Sequence, residues 1–124
     1  MKDLIGMLLE DLSTREYFLF RVRCAVCTAP YGGRAKRFSR AGEEPLTEPQ
    51  KLLFDALYDQ EFRAARQGAI RSAAEHLNFC PVCKRLACNR CFLICDELDL
   101  CADCADRLGV SGSPVVSGLE AHAI

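Results

Sequence analysis

The chain has 124 residues, half of them hydrophobic, with no tryptophan and a formal net charge of −1. That length suits one domain, with an appended helix at most. The charge balance weighs against nucleic-acid binding through bulk electrostatics. No apolar run approaches the roughly 18 residues of a membrane-spanning helix.

Residues 2–12 read as a short amphipathic helix, with Leu4, Ile5, Leu8, Leu9 and Leu12 on one stripe. Acids flank these residues and no small-residue cleavage site follows, so the segment is not read as a signal peptide. Residues 16–27 read as a strand, Glu16 to Arg23, feeding the turn Cys24-Ala25-Val26-Cys27. Residues 28–46 read as a basic loop punctuated by Pro30, Gly32, Gly33, Gly42 and Pro45. From Tyr17 to Gly42 the charged residues are Arg21, Arg23, Arg34, Lys36, Arg37 and Arg40, all basic. They suit phosphate contacts, a solvated loop, or neutralisation of nearby thiolates.

Thr47, with Pro49 in the first turn and Gln50 at the third position, predicts a helix start. Leu53, Leu57, Ala64, Ala65, Ala69 and Ala73 carry the helical period, so a long helix is expected over 47–77. Its alanines would admit a neighbouring helix, and Gly68 is a weak spot, costing about 1 kcal/mol relative to alanine. A cysteine-rich region follows over 78–108. It holds a short apolar strand at Phe92–Cys95, an acidic turn at Asp96, Glu97 and Asp99, and a helix start at Cys101. Residues 109–124 read as a flexible tail.

Eight of the nine cysteines form four Cys-x-x-Cys pairs: Cys24/Cys27, Cys80/Cys83, Cys88/Cys91 and Cys101/Cys104. A Cys-x-x-Cys turn sets two thiolates at the separation of two corners of a zinc tetrahedron, so eight such ligands point to two structural Zn2+ ions per chain. Zinc binding free energy becomes folding free energy, which would support a thin core. With two four-thiolate clusters the net charge becomes about −5. The odd count argues against a full disulfide set and for a reducing cytoplasm. Cys95 is expected to pack as a small hydrophobe, and His76 and His122 stand outside the ligand set.

Three wirings of the pairs are open: sequential, nested and cross-braced. Four residues separate Cys83 from Cys88, a short connector for a nested arrangement and a suitable one for cross-bracing. The run Cys80-x2-Cys83-x4-Cys88-x2-Cys91, followed by Cys101-x2-Cys104 at a helix start, resembles cross-braced treble-clef zinc modules. FYVE domains are nearest in spacing and RING-like domains are looser relatives. The resemblance covers about residues 80–108 plus Cys24/Cys27. It implies one ion on Cys24, Cys27, Cys88 and Cys91, and another on Cys80, Cys83, Cys101 and Cys104.

Two departures stand beside it. The first and second pairs are separated by 52 residues, and His76-Leu77-Asn78-Phe79 replaces the basic lipid-binding motif of FYVE domains. The ligand histidine of RING domains is missing too. The resemblance therefore implies metal geometry and neither lipid binding nor ubiquitin transfer. The layout is also similar to small bacterial zinc-ribbon proteins, which implies no activity.

The expected fold is a small α+β zinc-stabilised domain over 1–108, a knuckle and treble-clef core with a long inserted helix. The expected function is a non-enzymatic protein-interaction or adaptor module, its partner a protein or a second copy met through that helix. The alternative is a nucleic-acid-binding zinc ribbon using the Arg34–Arg40 loop. The sequence holds no Ser/His/Asp set, no phosphate loop and no open metal site to suggest an enzyme.

Overall fold

The computed structural model describes residues 1–115. In chain order the helical and early elements are α1 (Lys2–Leu8), β1 (Glu10–Asp11), β2 (Tyr17–Phe18), β3 (Phe20–Arg23), β4 (Pro30–Tyr31), β5 (Lys36–Arg37) and α2 (Glu48–Ala74). There follow β6 (Leu77–Phe79), β7 (Leu86–Cys88), β8 (Phe92–Ile94), β9 (Leu100–Cys101), α3 (Ala102–Leu108) and β10 (Ser113–Pro114). The result is a small mixed protein with short antiparallel strand pairs. The chain divides into two compact units, interleaved within the span read above as one domain. One comprises Lys2–Val22 and Gly32–Ala73; the other comprises Arg23–Tyr31 and the described residues from Ala74 to Val115.

The first is an aromatic unit. Phe18, Phe20 and Phe38 are buried with Ala65 and Ala69 of α2, and Phe54, Leu57, Tyr58 and Phe62 pack against them. Most of the rings meet edge-on or tilted, with centroids 5.0 Å apart for Phe18–Tyr58 and 5.2 Å for Phe38–Phe54 and Phe20–Phe62, and Tyr58 stacks on Phe62 at 6.3 Å. Such geometry suits the aromatic quadrupole. On the face expected to receive a helix, Ala65 and Ala69 receive phenylalanine rings, while α1 comes against Arg66 and Ile70, with Arg66 donating to Gly6 O at 2.9 Å.

The start of α2 is a reciprocal capping box. The Gln50 N–H donates to Thr47 Oγ1 at 3.2 Å, and Gln50 Oε1 accepts from the N–H groups of Thr47 (3.3 Å) and Leu46 (3.0 Å). The helix spans 27 residues, about 40 Å, and stops at Ala74, three residues short of the expected end. Leu77 leaves the helix because it pairs with Cys88. The N-terminal helix is also shorter than expected. Glu10 and Asp11 leave it to pair with Arg21 and Phe20 of β3. Lys36 and Arg37, inside the expected loop, form β5 opposite Tyr17 and Phe18. Gly32, at φ +140°, is required: a Cβ there would collide with the Phe20 carbonyl oxygen.

The cysteine unit repeats one knuckle. At the first, the Cys24 N–H donates to Ala29 O and the Thr28 N–H to Cys24 O, both at 3.0 Å. At the second, Cys80 N–H and Lys84 N–H donate at 2.9 Å to Arg85 O and Cys80 O. Each turn closes through a left-handed residue, Thr28 (φ 65°) and Lys84 (φ 62°), placed directly after the second cysteine. The second knuckle fills the β6–β7 hairpin, where Leu77 faces Cys88 and Phe79 faces Leu86. The Ala25 N–H donates to Leu86 O at 2.8 Å, tying the first knuckle to β7.

Asn89 caps the chain leaving α2: its N–H donates to His76 O (3.0 Å) and its side chain to Glu75 O (3.3 Å). β8 pairs with β9, Phe92 opposite Cys101, and the chain then turns into α3. Gly109 closes α3 in the left-handed conformation, φ 67°. The segment read as a tail begins in order, with Ser113 paired to Ile94. His122 and the remainder, 116–124, lie outside the described residues.

Candidate metal centres

The cysteine pairs that meet lie 61 to 67 positions apart in one case and 18 to 24 in the other. The strands and turns above bring them together in two groups. Cys24, Cys27, Cys88 and Cys91 form one, and Cys80, Cys83, Cys101 and Cys104 the other; within each group the sulfurs all lie within 4.8 Å of one another. This is the cross-braced grouping. Each group joins a knuckle to a different second pair. In the first quartet the partner is the turn Cys88–Cys91 after β7; in the second it is the start of α3, where Cys101 Sγ accepts from the Cys104 N–H at 3.4 Å.

The donor set fits a metal. A tetrahedron with zinc–sulfur bonds of 2.3 Å has an edge of about 3.8 Å. Cys27 and Cys88 sulfurs are 3.7 Å apart, and those of Cys83 and Cys101 are 3.8 Å apart. All nine cysteines are free thiols. Each quartet can hold one soft cation, and four thiolates suit zinc and iron alike.

Backbone N–H groups point at the sulfurs. Cys24 Sγ accepts from Cys88 N–H (3.2 Å), Val26 N–H (3.4 Å) and Cys27 N–H (3.5 Å). Cys80 Sγ accepts from Cys101 N–H at 3.5 Å. Such donors disperse negative charge and orient metal ligands. Charged side chains complete the shell unevenly. Around the second quartet, Arg107 donates to Cys104 Sγ at 3.3 Å, and Arg85 lies against Cys83 and 3.7 Å from Asp103. Around the first, the Tyr31 hydroxyl bonds to Cys88, with Arg90 beside both. The Tyr31 ring stacks on His76 at 5.5 Å, so His76 serves as packing rather than as a ligand.

Of the basic residues that neighbour the cysteines in sequence, Arg85 and Arg90 lie at the quartets. Arg21 instead donates to the carbonyls of Phe20 and Gly33, Arg23 to Thr28 O, and Lys84 sits over the Phe79 ring. Arg107 and Tyr31 were missed. The i,i+3 spacing of Cys104 and Arg107 on a helix was the legible signal for the first; Tyr31 left none.

Without metal, four of the thiols divide into two kinds. Burial pushes Cys80 up, but N–H groups of Cys101, Cys83 and Val82 overcome it and hold the thiol at about 6. Burial likewise opposes ionisation of Cys88, and the Tyr31 hydroxyl and Arg90 N–H bring it down to about 6. Cys91 is driven strongly up by burial and by the neighbouring thiols Cys88 and Cys27. Burial, then contacts with Cys104, Cys80 and Cys83, raise Cys101 to about 12, although the Cys104 N–H opposes them. Each quartet thus pairs a ready thiolate with a thiol that gives up its proton only to a cation.

Cys95 lies outside both quartets. It is half-buried, its N–H donates to Asp99 Oδ1 at 3.1 Å, and Gly112 passes so close that a Cβ would reach its sulfur. Arg37 donates to Ala41 O and Arg40 pairs with Glu43 at 3.6 Å. Among the described residues no helix is long and apolar enough to cross a membrane. Comparison with protein-family models, with curated proteins and with solved structures finds no match to this chain.

Proposed function

We propose that the chain is a non-enzymatic, zinc-stabilised interaction module, both ions being structural. The observation that carries this reading is that each quartet is closed. Four thiols complete a tetrahedron, and no histidine or carboxylate among the described residues joins either group. A catalytic zinc keeps a position open for water or substrate. The order knuckle, β8–β9 hairpin and α3, with the last pair at the helix start, supports a treble-clef reading of Cys80 to Leu108.

The interaction surface in this reading is the start of α2. Most of its apolar face is used inside the aromatic unit, but Leu46, Leu52 and Leu53 are 84 %, 71 % and 53 % exposed. Presented together at one helix end, they suit a protein partner, a second copy being the first to test.

Native mass spectrometry of the protein purified without added metal tests the reading. Two zinc ions per chain are expected, together with a self-associated species that Leu52→Glu with Leu53→Glu reduces. Retention of folded structure in the cysteine unit after complete metal removal would show that the ions are not structural and overturn it.

A further inference from the structure

We propose that the aromatic unit carries a binding cleft for a phosphomonoester, formed by the β4–β5 connection against the middle of α2. The site goes beyond the metal and interaction reading and does not depend on it. Its cavity, about 140 Å3, is lined by Phe18, Phe20, Ala65 and Ala69 together with Arg34, Lys36 and Ser72, with no acidic residue in the lining. The size admits one phosphoryl group and a small part of what bears it.

Three observations converge. First, Lys36 Nζ and an Arg71 guanidinium nitrogen approach the same point. They lie 3.7 and 3.8 Å from where a Cβ on Gly68 would sit. Two cations brought together repel each other. Arg34, Lys36 and Arg71 have no carboxylate partner among the described residues to neutralise them. Second, that point is kept open by a glycine inside a 27-residue helix, where glycine is unfavourable by about 1 kcal/mol. No packing demands it, because the Cβ of an alanine would make only ordinary contacts. Third, Ser72 lies one turn beyond Gly68, with its Oγ 3.5 Å from where a Cβ on Gly33 would sit, and makes no hydrogen bond to a described residue. It adds a neutral donor to the cations.

Arginine, lysine and hydroxyl donors around a small space match phosphate oxygens. A monoester carries −1.5 to −2 at neutral pH. That suits three unpaired cations better than the single charge of a backbone diester.

The test is calorimetric titration of the full, metal-loaded chain at fixed ionic strength. The probes are inorganic phosphate, phenyl phosphate and a single-stranded oligonucleotide lacking terminal phosphates. Saturable binding of the two phosphates is expected, weakened about tenfold or more by Lys36→Gln or Arg71→Gln. Gly68→Ala should weaken it as well while raising the thermal midpoint, a combination that loss of folding cannot produce. Phenyl phosphate binding tighter than phosphate would assign the ligand to esters rather than the free ion. Absence of saturable phosphate binding, or a Gly68→Ala variant with unchanged affinity, would overturn the proposal. Tighter binding of the oligonucleotide than of either phosphate would overturn it in favour of a nucleic-acid surface.

Discussion

Phe38 and Cys80 are each 0 % exposed, yet their surroundings are opposite. Phe38 is enclosed by Phe18, Phe54 and Tyr58, so its unit is held by dispersion and apolar burial between rings. Cys80 is enclosed by three other thiols and by N–H donors, a polar arrangement completed by a cation. The aromatic unit has a core that needs nothing added. In the cysteine unit the buried set consists largely of the thiols and a few small or aliphatic residues such as Leu77, Leu86, Ala87, Leu100 and Ala105. The contrast teaches that one short chain uses two kinds of cohesion, and that the two should respond to different perturbations.

The largest effect is expected from metal removal. Structural zinc contributes on the order of 10–16 kcal/mol in zinc-finger peptides. A strong chelator should therefore abolish hydrogen-exchange protection over 23–31 and 77–108. The near-ultraviolet signal of Tyr58 and the protection of residues 54–70 should persist. Loss of both at one chelator concentration would break the comparison and show a single cooperative unit.

Phe38→Ala is the mirror experiment. Removing a buried phenylalanine costs about 3–5 kcal/mol, here falling on the aromatic unit. Denaturant unfolding should show that loss while native mass spectrometry still counts two metals. A drop in metal count would mean that the rings support the quartets.

A third prediction concerns pH. Because Cys91 and Cys101 hold their protons at neutral pH without metal, each must release one on binding, so metal affinity rises with pH. The change is about tenfold per pH unit for each proton released. Below about pH 6 Cys80 and Cys88 also bind protons, and the dependence should steepen. Competition titrations with a chromophoric chelator between pH 5.5 and 8 would measure the slope; a flat profile would refute the division of the thiols.

The smallest effect sharpens the likeness between the two knuckles. Thr28 and Lys84 hold left-handed backbone, unfavourable by roughly 1–2 kcal/mol for a residue with a Cβ. Glycine at either position should stabilise the metal-loaded protein by under about 1 kcal/mol, equally at both sites, once glycine's own entropy is set against the relief. Thermal unfolding would resolve a rise of a few degrees; a fall at one site alone would show that its side chain contributes something the other lacks.

Legibility in the sequence followed the range of the interactions. The eight thiols, the Thr47–Gln50 capping box and the long helix depend on residues three or four apart, and each was readable from spacing. The interior of the cysteine region was readable for the same reason, since the second knuckle and the start of α3 are local turns. The early strands were harder. Glu10 and Asp11 read as helix because their neighbours have helical period, and the pairing with Arg21 and Phe20 that overrides it involves residues some ten positions away. The alanine face of α2 was visible as a surface needing cover, but nothing in its own residues says that phenylalanines provide it at Ala65 and Ala69.

Which pairs share an ion was open on the residues alone, because a Cys-x-x-Cys turn is the same object whichever second pair completes it. The choice belongs to the fold. The Leu77–Cys88 pairing and the Ala25 to Leu86 hydrogen bond carry Cys24 and Cys27 to Cys88 and Cys91, while the β8–β9 pairing carries Cys101 and Cys104 to Cys80 and Cys83. Arg107, Tyr31 and the cations around Gly68 came into view in the same way. Local chemistry specifies turns, caps and the capacity to bind metal; partners distant in the chain are specified by the sum of many weak pairings, which no short stretch of residues contains.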